Sequence, residues 1–499
     1  MEVIKIKINM IKYILPLLCF FSVQLTAQNY CGTTELDENW ISYYHANKQN
    51  FQYENENVLY IPIQVHVLRT DEGEGEISFI KLVKSLNKLN LDFEPTGIRF
   101  YLVRYFNYID KTKWYDHSDF NDGAEMIQTN NVSDAINCYI VKNPAGNCGY
   151  YSPRQDGLVL GTGCIGGGSA TWAHEMGHLL SLPHTFYGTE GVTYTSTTDI
   201  NEFKSMIWGT LEKVDGSNCT TAGDRFCDTK PDYLSYRWNC NSDEESFLLQ
   251  TDENRDTFRS NGAWIMSYSN DACASAFSLE QTDAMIANLR QKRTSINRDT
   301  TPESPDLEND IVLLNPEHEG DIHYQGMRLE WSPVMHASYY YVEISRRSSF
   351  SGNSTIRSIV QEPFIDIAEL SLDKKYYIHV MPFNLSSWAL NFSETYNFRT
   401  TDLTSSTKDQ FNNNRGYNIS NLIYQGDPVI VYNLKELNEI SISYEIINMA
   451  GIRVDSGKMN IRQGESNAQI TVNHPKGVYL LQLKGNSDPF PQVYRFVIQ

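Results

Sequence analysis

His174, Glu175, His178 and His184 fall within eleven residues of a 499-residue chain that has only 11 histidines. His174 and His178 are four apart, so on a helix they lie one turn apart on one face and can converge on a single metal ion. Glu175, beside the first imidazole, can reach a water on that metal and act as general base. Pro183 cannot continue a helix, so the chain must turn there and His184 can return to the same ion. Three protein ligands leave one position open, the pattern of catalytic rather than structural zinc. Two histidines four apart could equally be surface residues of an amphipathic helix; the third histidine favours the metal reading.

Holding these groups together requires a scaffold, and the pattern upstream predicts one. A β-branched strand over 58–68 precedes an amphipathic helix over 78–93, with Phe79, Leu82, Val83, Leu86, Leu89 and Phe93 on one stripe. Strands follow over 97–102, 136–141 and 158–160, the last just before Gly166-Gly167-Gly168 and the histidine helix. This alternation implies an α+β domain: a mixed twisted sheet with the metal helix packed on it. The strand near 158–160 is expected at the sheet edge, where it could hold an extended peptide by backbone pairing. From His184 to about 260 the chain is polar and irregular; Trp264–Tyr268 and a helix over 279–292, with Ser278 and Gln281 as a capping box, close the domain.

The rest divides by composition. Lys5, Lys7 and Lys12 precede an apolar run over 13–23, and Ala27 suits signal-peptidase cleavage, so 1–27 reads as a signal peptide and 28–57 as a propeptide or arm. The catalytic unit spans 58–293, a Pro-containing charged linker 294–309, a first all-β sandwich 310–401, a second linker 402–419 and a second all-β unit 420–499. A net charge of −20 argues against nucleic acid as a partner. No segment beyond the leader reaches the length of a transmembrane helix. Eight cysteines follow the leader, seven of them between 138 and 273, which suggests disulfides made in an oxidising compartment. Spacing does not determine connectivity; the pairs expected are Cys148–Cys164 and Cys227–Cys273.

With these residues in hand, the region 58–293 resembles the pappalysin (cytophagalysin-like) family of metzincin zinc metallopeptidases. The shared features are the motif at 174–184, a methionine turn at Met266-Ser267-Tyr268, the Cys227-Asp228-Thr229 segment and Thr96-Gly97-Ile98-Arg99-Phe100. The resemblance implies His174, His178 and His184 as zinc ligands, Glu175 as catalytic base and acid, Met266 as a hydrophobic floor and Tyr268 as stabiliser of the oxyanion. Ser181 stands where the family has glycine, at a turn that costs a non-glycine residue about 1 kcal/mol, and Lys230 replaces a frequent proline. Cys31, in Tyr30-Cys31-Gly32-Thr33, resembles a propeptide cysteine that caps zinc; the other reading is a disulfide, which an even cysteine number favours. Asp224, Asp228 and Asp232 could bind calcium, as acidic loops of the family do, or form a solvated turn.

Residues 310–401 are similar to a fibronectin type III sandwich, with Trp331 in the buried position and Tyr377 on a later strand. Residues 420–499 resemble the C-terminal sorting domain of type IX secretion, through Asn448-Met449-Ala450-Gly451 with Val454, Gly477-Val478-Tyr479-Leu480-Leu481 and the closing Arg495-Phe496-Val497-Ile498-Gln499. Together these features describe a secreted or surface-attached zinc endopeptidase acting on proteins or peptides and delivered through outer-membrane secretion machinery. The alternative from another class is a surface adhesin with a structural or vestigial metal site; retention of Glu175 speaks for the enzyme.

Overall fold

Residues 59–161 supply six strands of one mixed sheet, most of them rich in β-branched and apolar residues, and helix Phe79–Phe93 fills the crossover between the parallel strands Leu59–Arg69 and Ile98–Leu102. The structure, a computed structural model, describes 29–33, 38–51, 58–296, 302, 307, 311–402 except 389, and beyond that 417–419, 422–423, 428–433, 440–448, 452–461, 467–485 and 492–498. The leader expected over 1–27 and most of both linkers lie outside the described residues.

Seven of the described strands form the sheet, in the order Asn29–Cys31, Asn147–Ser152, Gly157–Gly161, Ile136–Val141, Leu59–Arg69 and Ile98–Leu102, with Asn107–Asp110 pairing further along Leu59–Arg69. Leu59–Arg69 pairs in parallel with each of its three neighbours, and Asn147–Ser152 pairs antiparallel with Gly157–Gly161. Ile136–Val141 is buried at every residue, as expected of a parallel strand covered on both faces. Helix Phe79–Phe93 buries Leu82, Val83, Leu86, Leu89 and Phe93, and Ser78 caps it by accepting from Lys81 N. Helix Leu279–Gln291 carries the capping box of Ser278 and Gln281.

Two expectations need correction. The strand Gly157–Gly161 is interior, flanked by Ile136–Val141 and Asn147–Ser152, so it is not the sheet edge. The edge is Asn147–Ser152, and Asn29–Cys31 lies along it in parallel. The alternation of Tyr and Cys with Gly at 147–152 gave too weak an apolar pattern to be read as a strand. The arm is also more ordered than its polar sequence suggests: Glu38–Asn47 is a helix that buries Trp40, Ile41 and Tyr44 against the core of the mixed-sheet unit.

The disulfides are Cys148–Cys164, Cys219–Cys227 and Cys240–Cys273. The expected Cys227–Cys273 pair is therefore wrong. Cys240 reaches Cys273 because Trp238 N donates to Tyr268 O (3.2 Å) and Asn270 N to Trp238 O (2.8 Å), laying the two segments side by side. Cys227 closes instead on Cys219, within its own loop. Cys31 and Cys138 are free, so the eight cysteines are not fully paired.

Downstream, the described strands form two successive pairs of sheets. In the first, a three-stranded and a five-stranded sheet enclose Trp331, Leu329, Val342, Ile378 and Phe398. Its outer face meets the mixed-sheet unit, where Phe79 stacks on Tyr341 (4.7 Å) and Leu102 N donates to Leu385 O (2.8 Å). The second encloses Val429, Ile442, Leu481 and Phe496 between a three-stranded and a five-stranded sheet.

Candidate metal centre

The helix Thr171–Leu179 carries His174, Glu175 and His178, all buried, and it ends where Ser181 takes φ 73°. Leu182 N donates to Gly177 O and Ser181 N to His178 O (both 2.9 Å), the paired bonds of a Schellman stop with Ser181 at its left-handed position. Serine is strained there, and Asn288 Nδ2 donates to its hydroxyl at 2.7 Å, which offsets part of the cost. The turn sends Pro183 out of the helix and brings His184 back, so that His178 Nε2 and His184 Nε2 stand 3.1 Å apart.

Each imidazole is oriented through its other nitrogen. His174 Nδ1 faces Ile265 O (2.7 Å), His178 Nδ1 faces Leu182 O (2.8 Å) and His184 Nδ1 faces Glu190 Oε1 (3.3 Å). Three oxygens thus take the Nδ1 protons and leave three Nε2 lone pairs turned inward. His174 Nε2 is buried without a hydrogen-bond partner. Lone pairs facing one another, and one of them orphaned, need a cation between them, and three neutral imidazoles suit zinc. Burial, then the nearby His184, holds the basicity of His174 and His178 well below that of free histidine, so both stay neutral. The Cys31 sulfur completes a group in which the ligand atoms of Cys31, His174, His178 and His184 all lie within 4.8 Å of one another.

Glu175 lies beside this group. Burial pushes its pKa up to about 8, against hydrogen bonds from Cys31, Thr33 and the Tyr151 backbone. Cys31 Sγ stands 3.6 Å from Glu175 Oε2, and the Thr33 hydroxyl donates to the same oxygen at 3.0 Å. A Cβ on Gly149 would stand 2.9 Å from Glu175 Cγ, so the edge strand leaves room for the carboxylate only because position 149 is glycine. Met266 lies under the helix: a Cβ on Gly177 would run into its sulfur. Tyr268 joins from the methionine turn, its ring 5.0 Å from that of His184 and 5.8 Å from that of His174. Burial, then the Cys31 and Glu175 charges, raises its pKa beyond any working pH, so the phenol keeps its proton.

All five predicted site residues therefore gather in one place, together with Cys31. Sequence reasoning missed Thr33, Gly149, Glu190 and Asn288. Thr33 could have been suspected from its place beside Cys31-Gly32; nothing in the sequence marks the other three. The acidic loop does not gather. Asp224 accepts from Phe226 N and Thr229, Asp228 from Ser278 and Glu280 N, and Asp232 from Thr185, Ser260 and Ser267. Asp224 has a different neighbour, Glu212, whose Oε2 is buried without a partner.

No family model matches the chain. An extracellular metalloprotease of Arthroderma gypseum is 29% identical over 204 residues, 36% of this chain and 67% of its own length. Extracellular metalloproteases of Colletotrichum graminicola and Coccidioides posadasii are 30% and 29% identical over 26% of this chain. The chain spans two thirds of the first relative and about half of the other two (52% and 55%). Among solved structures, a mutant of Tannerella forsythia promirolysin aligns over 54% of this chain and 97% of its own at 18% identity, with a TM-score of 0.39. The fn3 domain of human collagen alpha-1(XX) chain aligns over 22% of this chain and 95% of its own at 19% identity, with a TM-score of 0.15.

Proposed function

We propose that the chain is a secreted zinc-dependent endopeptidase of pappalysin type, held latent by its N-terminal arm. The observation that carries this reading is the set of three buried imidazoles with inward Nε2 atoms beside a buried, raised-pKa carboxylate. The fungal relatives, named extracellular metalloproteases, point the same way. Casein digestion by arm-free protein, abolished by a zinc chelator and restored by zinc, tests it; chelator-insensitive or absent digestion contradicts it.

His174, His178 and His184 would hold the zinc, which supplies Lewis acidity to a peptide carbonyl and acidifies a water. Glu175 takes the proton from that water as it attacks and returns it to the departing amine. The Tyr268 phenol, permanently protonated, donates a hydrogen bond to the oxygen that gains charge. Tyr268→Phe is expected to lower kcat about 10- to 100-fold with KM little changed, measured on a quenched peptide. The edge strand Asn147–Ser152, once freed of the arm, can pair with an extended substrate, the role expected of 158–160. The adhesin reading has no observation in its favour at this site.

Latency rests on four contacts of the arm. Cys31 fills the position facing the three imidazoles, Thr33 ties up Glu175, Gly32 N donates to Gly149 O (2.9 Å) and Tyr151 N to the Thr33 hydroxyl (2.8 Å). Burial, then the Glu175 charge, pushes the Cys31 thiol well above its usual range, and a cation among the histidines reverses that. We further propose export by the leader and sorting of 420–499 by type IX outer-membrane machinery. Among the described residues no helix is long and apolar enough to cross a membrane.

We also propose calcium at the acidic loop, now centred on Glu212 and Asp224. Burial, then neighbouring carboxylates, pushes Glu212 up to about 9; burial pushes Asp224 up to about 8. Folded-state pKa values raised this far mean that the native state holds more protons than the unfolded one, so calcium-free stability falls as pH rises from about 4 to 9. Saturating calcium should flatten that fall and raise Tm at pH 8 by several degrees. Calorimetry with Glu212→Gln, which should remove the calcium effect and the Glu212 share of the pH dependence while leaving that of Asp224, checks it; a calcium-independent Tm at every pH opposes it.

A further inference from the structure

Tyr30 of the arm is buried at the histidines, and neither zinc capping nor the restraint of Glu175 uses it. Its ring is buried beside the histidines, 5.0 Å from the ring of His174 and 5.2 Å from that of Tyr268, both edge-on. The Arg237 guanidinium carbon lies 4.0 Å from the ring centroid, covering a face. The hydroxyl is buried beside the Thr171 side chain, at the start of the metal helix, and forms no well-aligned hydrogen bond there. Removing the arm therefore opens a slot of aromatic shape beside the catalytic centre, with Arg237 as one wall.

The charges in the slot decide what it takes. Of the two carboxylates whose charge reaches Tyr30, Asp271 is held by Arg237 Nη2 at 3.5 Å and by Ala170 N at 3.3 Å, and Glu175 belongs to the metal centre. Arg237 also donates to Ser269 O, which fixes the guanidinium plane against the loop. An incoming lysine or arginine would meet a cation and find Asp271 already paired. An aromatic ring gains what Tyr30 gains: edge contacts from two rings and a guanidinium over its face. A buried hydroxyl without a well-aligned bond adds little, so phenylalanine should fit at least as well as tyrosine.

Building on the endopeptidase reading, we propose that this slot is a substrate subsite selective for phenylalanine and tyrosine next to the cleaved bond, with Arg237 as its specificity-determining residue. Tyr30 occupies the subsite in the latent chain.

The test has two arms, both on full chain cleaved within 52–57 after folding and freed of the arm. The first cleaves a peptide library. Peptides with Phe or Tyr at one position flanking the bond should exceed their Ala counterparts about tenfold in kcat/KM. Arg237→Ala should cut that ratio below about threefold. The second measures binding of a synthetic peptide of residues 28–36 to the zinc-loaded protein. Its Tyr30→Phe version should bind at least as tightly and Tyr30→Ala about tenfold more weakly, and Arg237→Ala should erase the difference. A preference for basic residues, or an aromatic preference unchanged in Arg237→Ala, overturns the subsite. If no peptide is cleaved while the Tyr30 and Arg237 effects on binding persist, the endopeptidase reading falls and the slot stands; equal binding of the Tyr30→Ala peptide overturns the slot by itself.

Discussion

Glu175→Gln in the arm-free protein is expected to keep its zinc and lose between about a hundredfold and ten thousandfold in kcat. The two side chains have the same shape, and the space left by Gly149 is filled equally by either, so the fold is not at risk. What changes is the capacity to take a proton. Glutamine cannot accept one from the attacking water nor return it to the amine, and the nearby Glu190 faces His184 Nδ1, on the side away from the inward Nε2 atoms. Stability should move the other way or not at all. With the arm in place Glu175 is fully buried and burial raises its pKa to about 8, so its charge burdens that fold, and the neutral amide removes the burden there. Zinc by mass spectrometry, Tm by calorimetry and kcat on one peptide separate these effects. A variant within tenfold of the parent would remove Glu175 as the base.

The second large effect concerns the arm. The uncleaved chain should turn over substrate at least about a hundredfold more slowly than the arm-free form, a difference of about 2.7 kcal/mol in closure. The contacts suffice for this: the Cys31 sulfur, two backbone-directed hydrogen bonds and the buried Tyr30 ring each contribute on the order of a kilocalorie. Cys31→Ala in the uncleaved chain should recover only part of the activity, because Thr33 still holds Glu175 and the strand Asn29–Cys31 still covers the edge. Progress curves of the three proteins decide the point. Equal rates from cleaved and uncleaved chains would mean that the arm is a structural appendage.

The histidine motif was legible in the sequence because helical spacing is rigid: residues four apart must share a face, and Pro183 must break the helix. The strands Ile136–Val141 and Tyr339–Ser345 were legible for a similar reason, since runs of β-branched and aromatic residues between turn signals have few other fates. The sheet edge was not. Whether Asn147–Ser152 or Gly157–Gly161 lies outside depends on a pairing that neither sequence encodes locally, and the shorter apolar run of 147–152 made the interior strand look like the edge. The same non-locality hid Gly149, whose role is to leave space for a side chain 26 positions away. Cys227 failed for a related reason: its nearest partner was set by a compact loop, and that of Cys273 by pairing between two distant irregular segments. Ser181 shows the opposite case. The sequence placed a strained residue there, the structure gives it φ 73°, and the compensating Asn288 lies on another helix where no local rule would look.

The central claim is that His174, His178 and His184 together hold one zinc ion. Its most direct test is the zinc content of the purified arm-free protein and of its His178→Ala variant, by inductively coupled plasma mass spectrometry after dialysis against metal-free buffer. The account predicts about one zinc per chain in the parent and less than about a tenth of that in the variant, since two imidazoles do not complete the three-ligand set. Zinc retained in full by His178→Ala, or a parent that cleaves peptides while holding none, would contradict it.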